Sequence, residues 1–335
     1  MLTQPLPDLA ATLRLQSQTA STRTQLQKAS QELTTGLTAD VVGLTGGDLS
    51  PVFALDRDIR ATELRIQDLS LAQGRITAAQ AALGQVQGSV DTLGLDVEAA
   101  IARGEPVSTT EFLDQAAPAL SDIVSALNTR FGGRSLFAGA AEDTLPLSGA
   151  EPIMADIGAI LAAAPDAATA IADIDTYFSA GGGFETMIYQ GANSPAAAAA
   201  LSDGTRITYL PRADDPALRE LIQGTAMMAA LPAAGFSANE SEVKAFLRDA
   251  ATRLQSGPDD VVGLRADIGI AEEQIDRALA GASAERGALQ IARNDMIGVD
   301  QYDAATRLAG LEAQLETLYT VTARLSALRL TNFLR

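Results

Sequence analysis

"LAGLEAQLETLYTVTARLSALRLTNFLR" (308–335) closes the chain. Leucines fall at 308, 311, 315, 318 and 325, with Leu328, Phe333 and Leu334 beyond, and Arg and Glu lie between them. Steps of mostly three, four or seven residues place these side chains on one stripe of a helix that runs to the last residues. Chain ends usually fray, so an apolar stripe there needs a partner. A stripe of similar length stands at the other end. After Pro5 and Pro7, residues 8–37 carry Leu9, Leu13, Ala20, Leu26, Leu33 and Leu37, with Gly36 near the helix end. Antiparallel pairing of the two ends would cover both.

Further helices lie between these ends. Ser50–Pro51 reads as an N-cap with proline at the first helical position. From there Leu55, Ile59, Ile66, Leu69, Ile76, Leu83, Val90, Leu93, Val97 and Ile101 recur at helical steps, and Arg103, Gly104 and Pro106 supply a stop. A helix of about 50 residues, roughly 75–80 Å long at 1.5 Å per residue, is expected. Ser108 and Glu111 form a capping box for a third helix over 109–131, with Phe112, Ala116, Leu120, Ile123, Leu127 and Phe131 inward and a kink at Pro118. Helices resume over 239–256, with Val243, Phe246, Leu247, Ala250 and Leu254 inward. "SGPDD" (256–260) is expected to break and recap the chain, and Gly298 with Asp300 to bend the last stretch, 261–335.

Residues 132–236 differ in character. Gly clusters, an Ala-rich helical stretch (150–178) and the β-type runs "FETMIYQG" (184–191) and "TRITYLPR" (205–212) predict a small α+β domain inserted between helical arms. The predicted fold is mainly α, with long antiparallel coiled-coil arms from both termini. Its domains are a terminal core (1–40 with 297–335), a helical bundle (41–135 with 237–296) and an outer insert (136–236).

Composition excludes whole classes of function. The chain has no Cys and no His, so disulfides, thiolate nucleophiles and His-based metal sites are ruled out. A net charge of −18, from 24 basic and 42 acidic residues, opposes binding to nucleic acid or anionic membranes. Residues 137–236 hold 3 Arg and 12 Asp or Glu, which reads as a solvated outer region. No apolar run approaches the roughly 20 residues of a transmembrane helix. The N-terminus lacks the basic start and apolar block of a cleaved Sec-type signal, so if the protein leaves the cell, it leaves by another route. Asp214–Asp215 and Asp259–Asp260 read as helix caps rather than catalytic dyads, and Glu272–Glu273 as solvated surface. "GGRSLFAG" (132–139) and "AGGGFE" (180–185) lack the Lys-Ser/Thr of a phosphate loop. Asn239–Glu240–Ser241 fits a glycosylation sequon, but Asn239 more simply caps a helix. Neither catalytic residues nor a cofactor or metal are predicted.

Four stretches carry a family resemblance. "SQELTTGLTADV" (30–41) resembles the Ser-x-x-Leu-x-Thr-Gly segment of the flagellin superfamily. "GRSLFAGA" (133–140) resembles the Gly-Arg-Tyr-Leu-Phe-x-Gly turn of the hook-associated protein 3 family, the hook–filament junction proteins. "AERGALQIARNDM" (284–296) is similar to that family's C-terminal arm, and 311–335 to its Leu-rich ending. Ser135 replaces the family's Tyr, Phe333 stands where Tyr is common, and the family's Asp-Asp-Pro is loosened to "GGDLSP" (46–51). The acidic insert carries little family signal.

The resemblance implies a structural axial protein of the bacterial flagellum, exported unfolded through the type III channel and assembled extracellularly through its terminal helices. It implies self-association in a ring between the first hook-associated protein and flagellin, with a cytoplasmic export chaperone shielding the apolar tail beforehand. Leu9, Leu13, Leu26, Leu33, Leu308, Leu311, Leu315, Leu318, Leu325, Leu328 and Phe333 are then the assembly or chaperone interface. The nearest alternative is flagellin itself, whose tails end Leu-Leu-Arg. A secreted coiled-coil adhesin and an Asp- or Glu-based enzyme are the alternatives of other classes.

Overall fold

The computed structural model describes residues 6–104, 111–196, 198–201, 204–236 and 238–333; side chains are described for all of these except 6–9, 11, 12, 111 and 325–333. The predicted capping box at Ser108–Glu111 lies outside the described residues. Among the described residues the fold is mainly helical, with two small two-stranded sheets. It divides into two compact units, residues 1–64 with 283–335 and residues 65–282.

In the first unit, α1 (Leu6–Thr35) packs along α10 (Gln301–Phe333). The pairing is antiparallel, as predicted: Glu32 meets Arg307, and Arg23 meets Tyr319 farther along. α1 stops at Gly36, whose φ of +70° is open to glycine at little cost and whose N–H bonds back to the Glu32 carbonyl. A one-turn helix, α2 (Val41–Leu44), follows, capped by the Asp40 carboxylate. α3 (Ser50–Val90) then begins, with the Asp48 carboxylate accepting from the Ser50 N–H. The predicted bend near Gly298 separates α9 (Glu240–Ile297) from α10, and the Asp300 carboxylate accepts from the N–H groups of Tyr302 and Asp303.

The second unit holds the hydrophobic core. Leu69, Ile76 and Leu83 of α3, Leu120, Ile123 and Leu127 of α5 (Glu111–Leu127), and Phe246, Leu254 and Val261 of α9 belong to one buried core. α6 (Ala150–Ala163), α7 (Ala167–Phe178) and α8 (Pro216–Ala230) add Ile153, Ile174 and Leu221 to the same core. A polar ladder ties α3 to α9. The Arg265 guanidinium donates to the side-chain oxygens of Gln80 and Gln87, and the Gln80 amide donates back to the Arg265 carbonyl.

Several local expectations are corrected. The predicted 50-residue helix stops at Val90, and α4 (Leu93–Arg103) starts after Asp91–Thr92, residues that favour turns and caps over helix interiors. α4 ends at Gly104, as expected. α5 holds Pro118 inside the helix, as expected, but stops at Leu127, so Phe131 belongs to a hairpin of β1 (Arg130–Phe131) and β2 (Arg134–Ser135). "FETMIYQG" forms a π-helical turn, Phe184–Ile188. Phe184 and Ile188 are buried while Thr186 is exposed, a pattern that strand alternation cannot give. "TRITYLPR" contributes only β4 (Arg206–Ile207), paired with β3 (Ala199–Ala200). "SGPDD" does not break α9, so Asp259 and Asp260 are helix-interior rather than caps. A proline there costs about 3 kcal/mol. The burial of Leu254 and Val261 on either side, and a hydrogen bond from the Gln87 amide to the Pro258 carbonyl, offset it.

Candidate assembly interface

The paired ends are the candidate site. Leu26 and Leu33 of α1 and Leu308, Leu311, Leu315 and Leu318 of α10 are each half-buried, and Leu13 is 56% exposed. The side chains of Leu9, Leu325, Leu328 and Phe333 lie outside the described residues. None of the described stripe leucines is fully covered, whereas the leucines of the second unit's core reach 0–1% exposure. Two helices can cover only one side of each apolar stripe. The remaining apolar surface is available for further helices.

Polar contacts fix how the two helices sit. The Glu32 carboxylate, 7% exposed, is the centre. One oxygen accepts from the Ala39 N–H at 3.0 Å, and the other accepts from the Arg307 guanidinium at 3.1 Å. It thereby joins the last turn of α1, the linker after Gly36 and α10. Beside it, Leu37 and Gly298 form an antiparallel bridge. The Thr38 N–H donates to the Ile297 carbonyl at 2.8 Å, and the Val299 N–H to the Gly36 carbonyl at 3.0 Å. Both arms break at this level and are clamped there. Farther along, the Arg23 Nε donates to the Tyr319 hydroxyl at 2.9 Å, with the guanidinium carbon 5.5 Å from the ring centre. Sequence reasoning found the leucines and the breaks but missed Glu32, Arg307, Arg23 and Tyr319. Partners this far apart in the chain leave no local signal.

A cleft of about 350 Å³ lies beside the clamp. Leu37, Val41, Val42, Leu49, Val52, Phe53 and Ile297 line it, and the Asp56–Arg293 ion pair (2.6 Å) sits in its wall.

The turn at 133–139 is built as rigidly as the clamp. Leu136, Phe137 and Ala138 are fully buried. Gly139 has a φ of +58°, and a Cβ there would lie 2.5 Å from the carbonyl oxygens of Ala192 and Ser194. Only glycine fits. Behind the turn, Glu142 is buried between Arg75 (2.6 Å) and Arg134 (2.7 Å). Burial alone would raise its pKa, but hydrogen bonds and charge from the two arginines more than offset that and hold it below the ordinary glutamate value.

The remaining candidates have structural partners. Asp214 accepts two hydrogen bonds from Arg212, and Asp215 caps α8 through the Ala217 N–H. Asn239 and Glu242 cap α9 reciprocally. Among the described residues, no cluster of carboxylates is placed to hold a metal ion, and no helix is long and apolar enough to cross a membrane.

Long helices from both ends, paired through a half-covered leucine seam, and a separately cored middle define the architecture of a structural protein. The chain belongs to the bacterial flagellin family and is a flagellar structural protein. Residues 8–142 match the family's N-terminal helical region, and residues 255–334 its C-terminal helical region. A Vibrio parahaemolyticus structure assigned as a flagellar hook-associated protein is similar at 15% identity and a TM-score of 0.48, over 74% of this chain and 100% of that one. Bacillus cereus FlgL is similar at 13% identity and a TM-score of 0.39, over 74% of this chain and 96% of that one. Comparison with curated proteins gives no sequence match.

Proposed function

We propose that the protein forms the junction between flagellar hook and filament. The observation that carries this reading is the "GRSLFAG" turn (133–139), which resembles the junction-protein pattern, with "LTNF" (330–333) favouring the junction protein over flagellin. In this reading the chain is exported unfolded and without a cleaved signal. It assembles in a ring that contacts the first hook-associated protein on one side and flagellin on the other. An export chaperone covers the apolar tail before assembly. Residues 1–40 with 297–335 form the packed core, 41–135 with 237–296 the surrounding bundle, and 136–236 the outer domain. Leu9, Leu13, Leu26, Leu33, Leu308, Leu311, Leu315, Leu318, Leu325, Leu328 and Phe333 face neighbouring subunits or the chaperone. Half-burial of the described members Leu26, Leu33, Leu308, Leu311, Leu315 and Leu318 supports this role.

A deletion strain tests the proposal. The expected outcome is loss of motility, with unassembled filament protein in the medium. The second reading, a filament subunit, is favoured by the family's own name. Purified protein that grows long filaments from seeds would select it over the junction.

A further inference from the structure

We propose that the cleft beside the clamp is the seat for α1 of a second copy of this chain, with Leu13 as the inserted side chain. This rests on the reading of the protein as self-assembling and names where one copy holds the next. Leu37, Val42, Leu49, Val52, Phe53 and Ile297 make the cleft apolar, and its volume of about 350 Å³ admits a leucine side chain. Its mouth is sticky: Val42 is 56% exposed and Phe53 62%. Apolar side chains exposed together around a concavity mark an interaction surface.

Charge selects the occupant. Residues 37–56, which supply most of the cleft wall, carry Asp40, Asp48 and Asp56; Arg293, also in the wall, pairs with Asp56, which leaves Asp40 and Asp48 as the segment's other acids. Between Leu9 and Gln31, α1 carries Arg14, Arg23 and Lys28 and no acid. All three bases are exposed, as is Leu13 next to Arg14. In a protein of net charge −18, this basic stretch complements Asp40 and Asp48 in the segment that forms the cleft. A cleft on one copy and a projecting helix on another make a heterologous contact. Repeated, it closes into a ring or winds into a helix rather than stopping at a dimer.

The chain has no cysteine, so single cysteines report without background. Full-length Leu13→Cys and Val42→Cys proteins, each with unchanged circular dichroism, are mixed and mildly oxidised. A disulfide joining one to the other is necessarily intermolecular. The mixed dimer is expected to exceed either homodimer at least threefold. Its yield should fall several-fold when salt rises from about 0.05 to about 0.5 M, which shortens the screening length to a few ångströms. A mixed dimer no more abundant than the homodimers overturns the docking. So does one whose yield ignores salt, or a Val42→Cys adduct in flagellated cells formed with a protein of another mass in place of a second copy. Oligomers that sediment without the mixed dimer overturn the seat and leave the self-assembly reading standing. Loss of both removes the two together.

Discussion

Glu142 illustrates how a single carboxylate can organise a motif. Arg75 is 6% exposed and loses its buried counter-charge if Glu142 is removed. Breaking such a pair costs about 3–5 kcal/mol. Glu142→Ala should therefore lower the denaturant midpoint of the second unit by an amount equivalent to that range. The pH dependence follows from the depressed folded-state pKa. The ion pair's stabilisation is full above the unfolded glutamate value and is lost as pH falls through the lower folded value. Glu142→Gln should flatten the stability profile in that acidic window and leave its shape near neutrality unchanged, as read by urea titration at a series of pH values. Gly139 tests the same turn independently. Gly139→Ala combines a left-handed backbone with a 2.5 Å approach to two carbonyl oxygens, so a loss above about 2 kcal/mol is expected in thermal unfolding. The glycine of this turn was legible in the sequence as a motif letter. The reason for it was not, because Ala192 and Ser194 approach only in the folded chain.

At the scale of elements, periodicity decided most. The stripes of α1 and α10 and the apolar run of α3 follow helical spacing closely enough to be read directly from the sequence. Punctuation misled where packing overrode it. Pro258 lies inside a 58-residue helix because the buried residues around it outweigh a local cost, while Asp91–Thr92 ends a helix that the leucine pattern alone would continue. The strands failed for a related reason: "FETMIYQG" has β-type composition, but its burial pattern is that of a tight turn. The paired ends allow a sharp test. Leu318 is half-buried on α10 and lies outside the second unit's core. Leu318→Asp should change the melting of the isolated monomer by less than about 1 kcal/mol, because the carboxylate can still reach water. The same variant should fail to assemble and leave filament protein in the medium. A variant that melts much earlier as a monomer would return this leucine to a purely internal role.

For the whole molecule, the contrast between the two units sets the expectation. The second unit has a continuous core running from Leu69 to Ala278, while the described leucines of the terminal seam are only half-covered. Local opening is easiest where buried apolar contact is least. Limited proteolysis of the monomer should trim about 30–40 residues from each end before the second unit is cut, and assembled protein should resist. Charge divides along similar lines. Residues 1–40 hold three acids and three bases, and 297–335 four of each, so the entire net charge of −18 lies between them. In the proposed assembly, neutral ends crowd together without mutual charge repulsion.

The clamp at Gly36 and Gly298 has a consequence for slippage. A leucine seam that repeats about every seven residues is nearly self-similar. Sliding α1 along α10 by one heptad, about 10 Å, would still place leucine or a small residue such as Ala20 against leucine. Hydrophobic contact alone therefore leaves several near-equivalent alignments. The Leu37–Gly298 bridge, its two flanking backbone hydrogen bonds and the Glu32–Arg307 pair are each satisfied in only one of them. They act as a detent, so every copy presents its uncovered stripe at the same height, the condition for identical subunits to interlock.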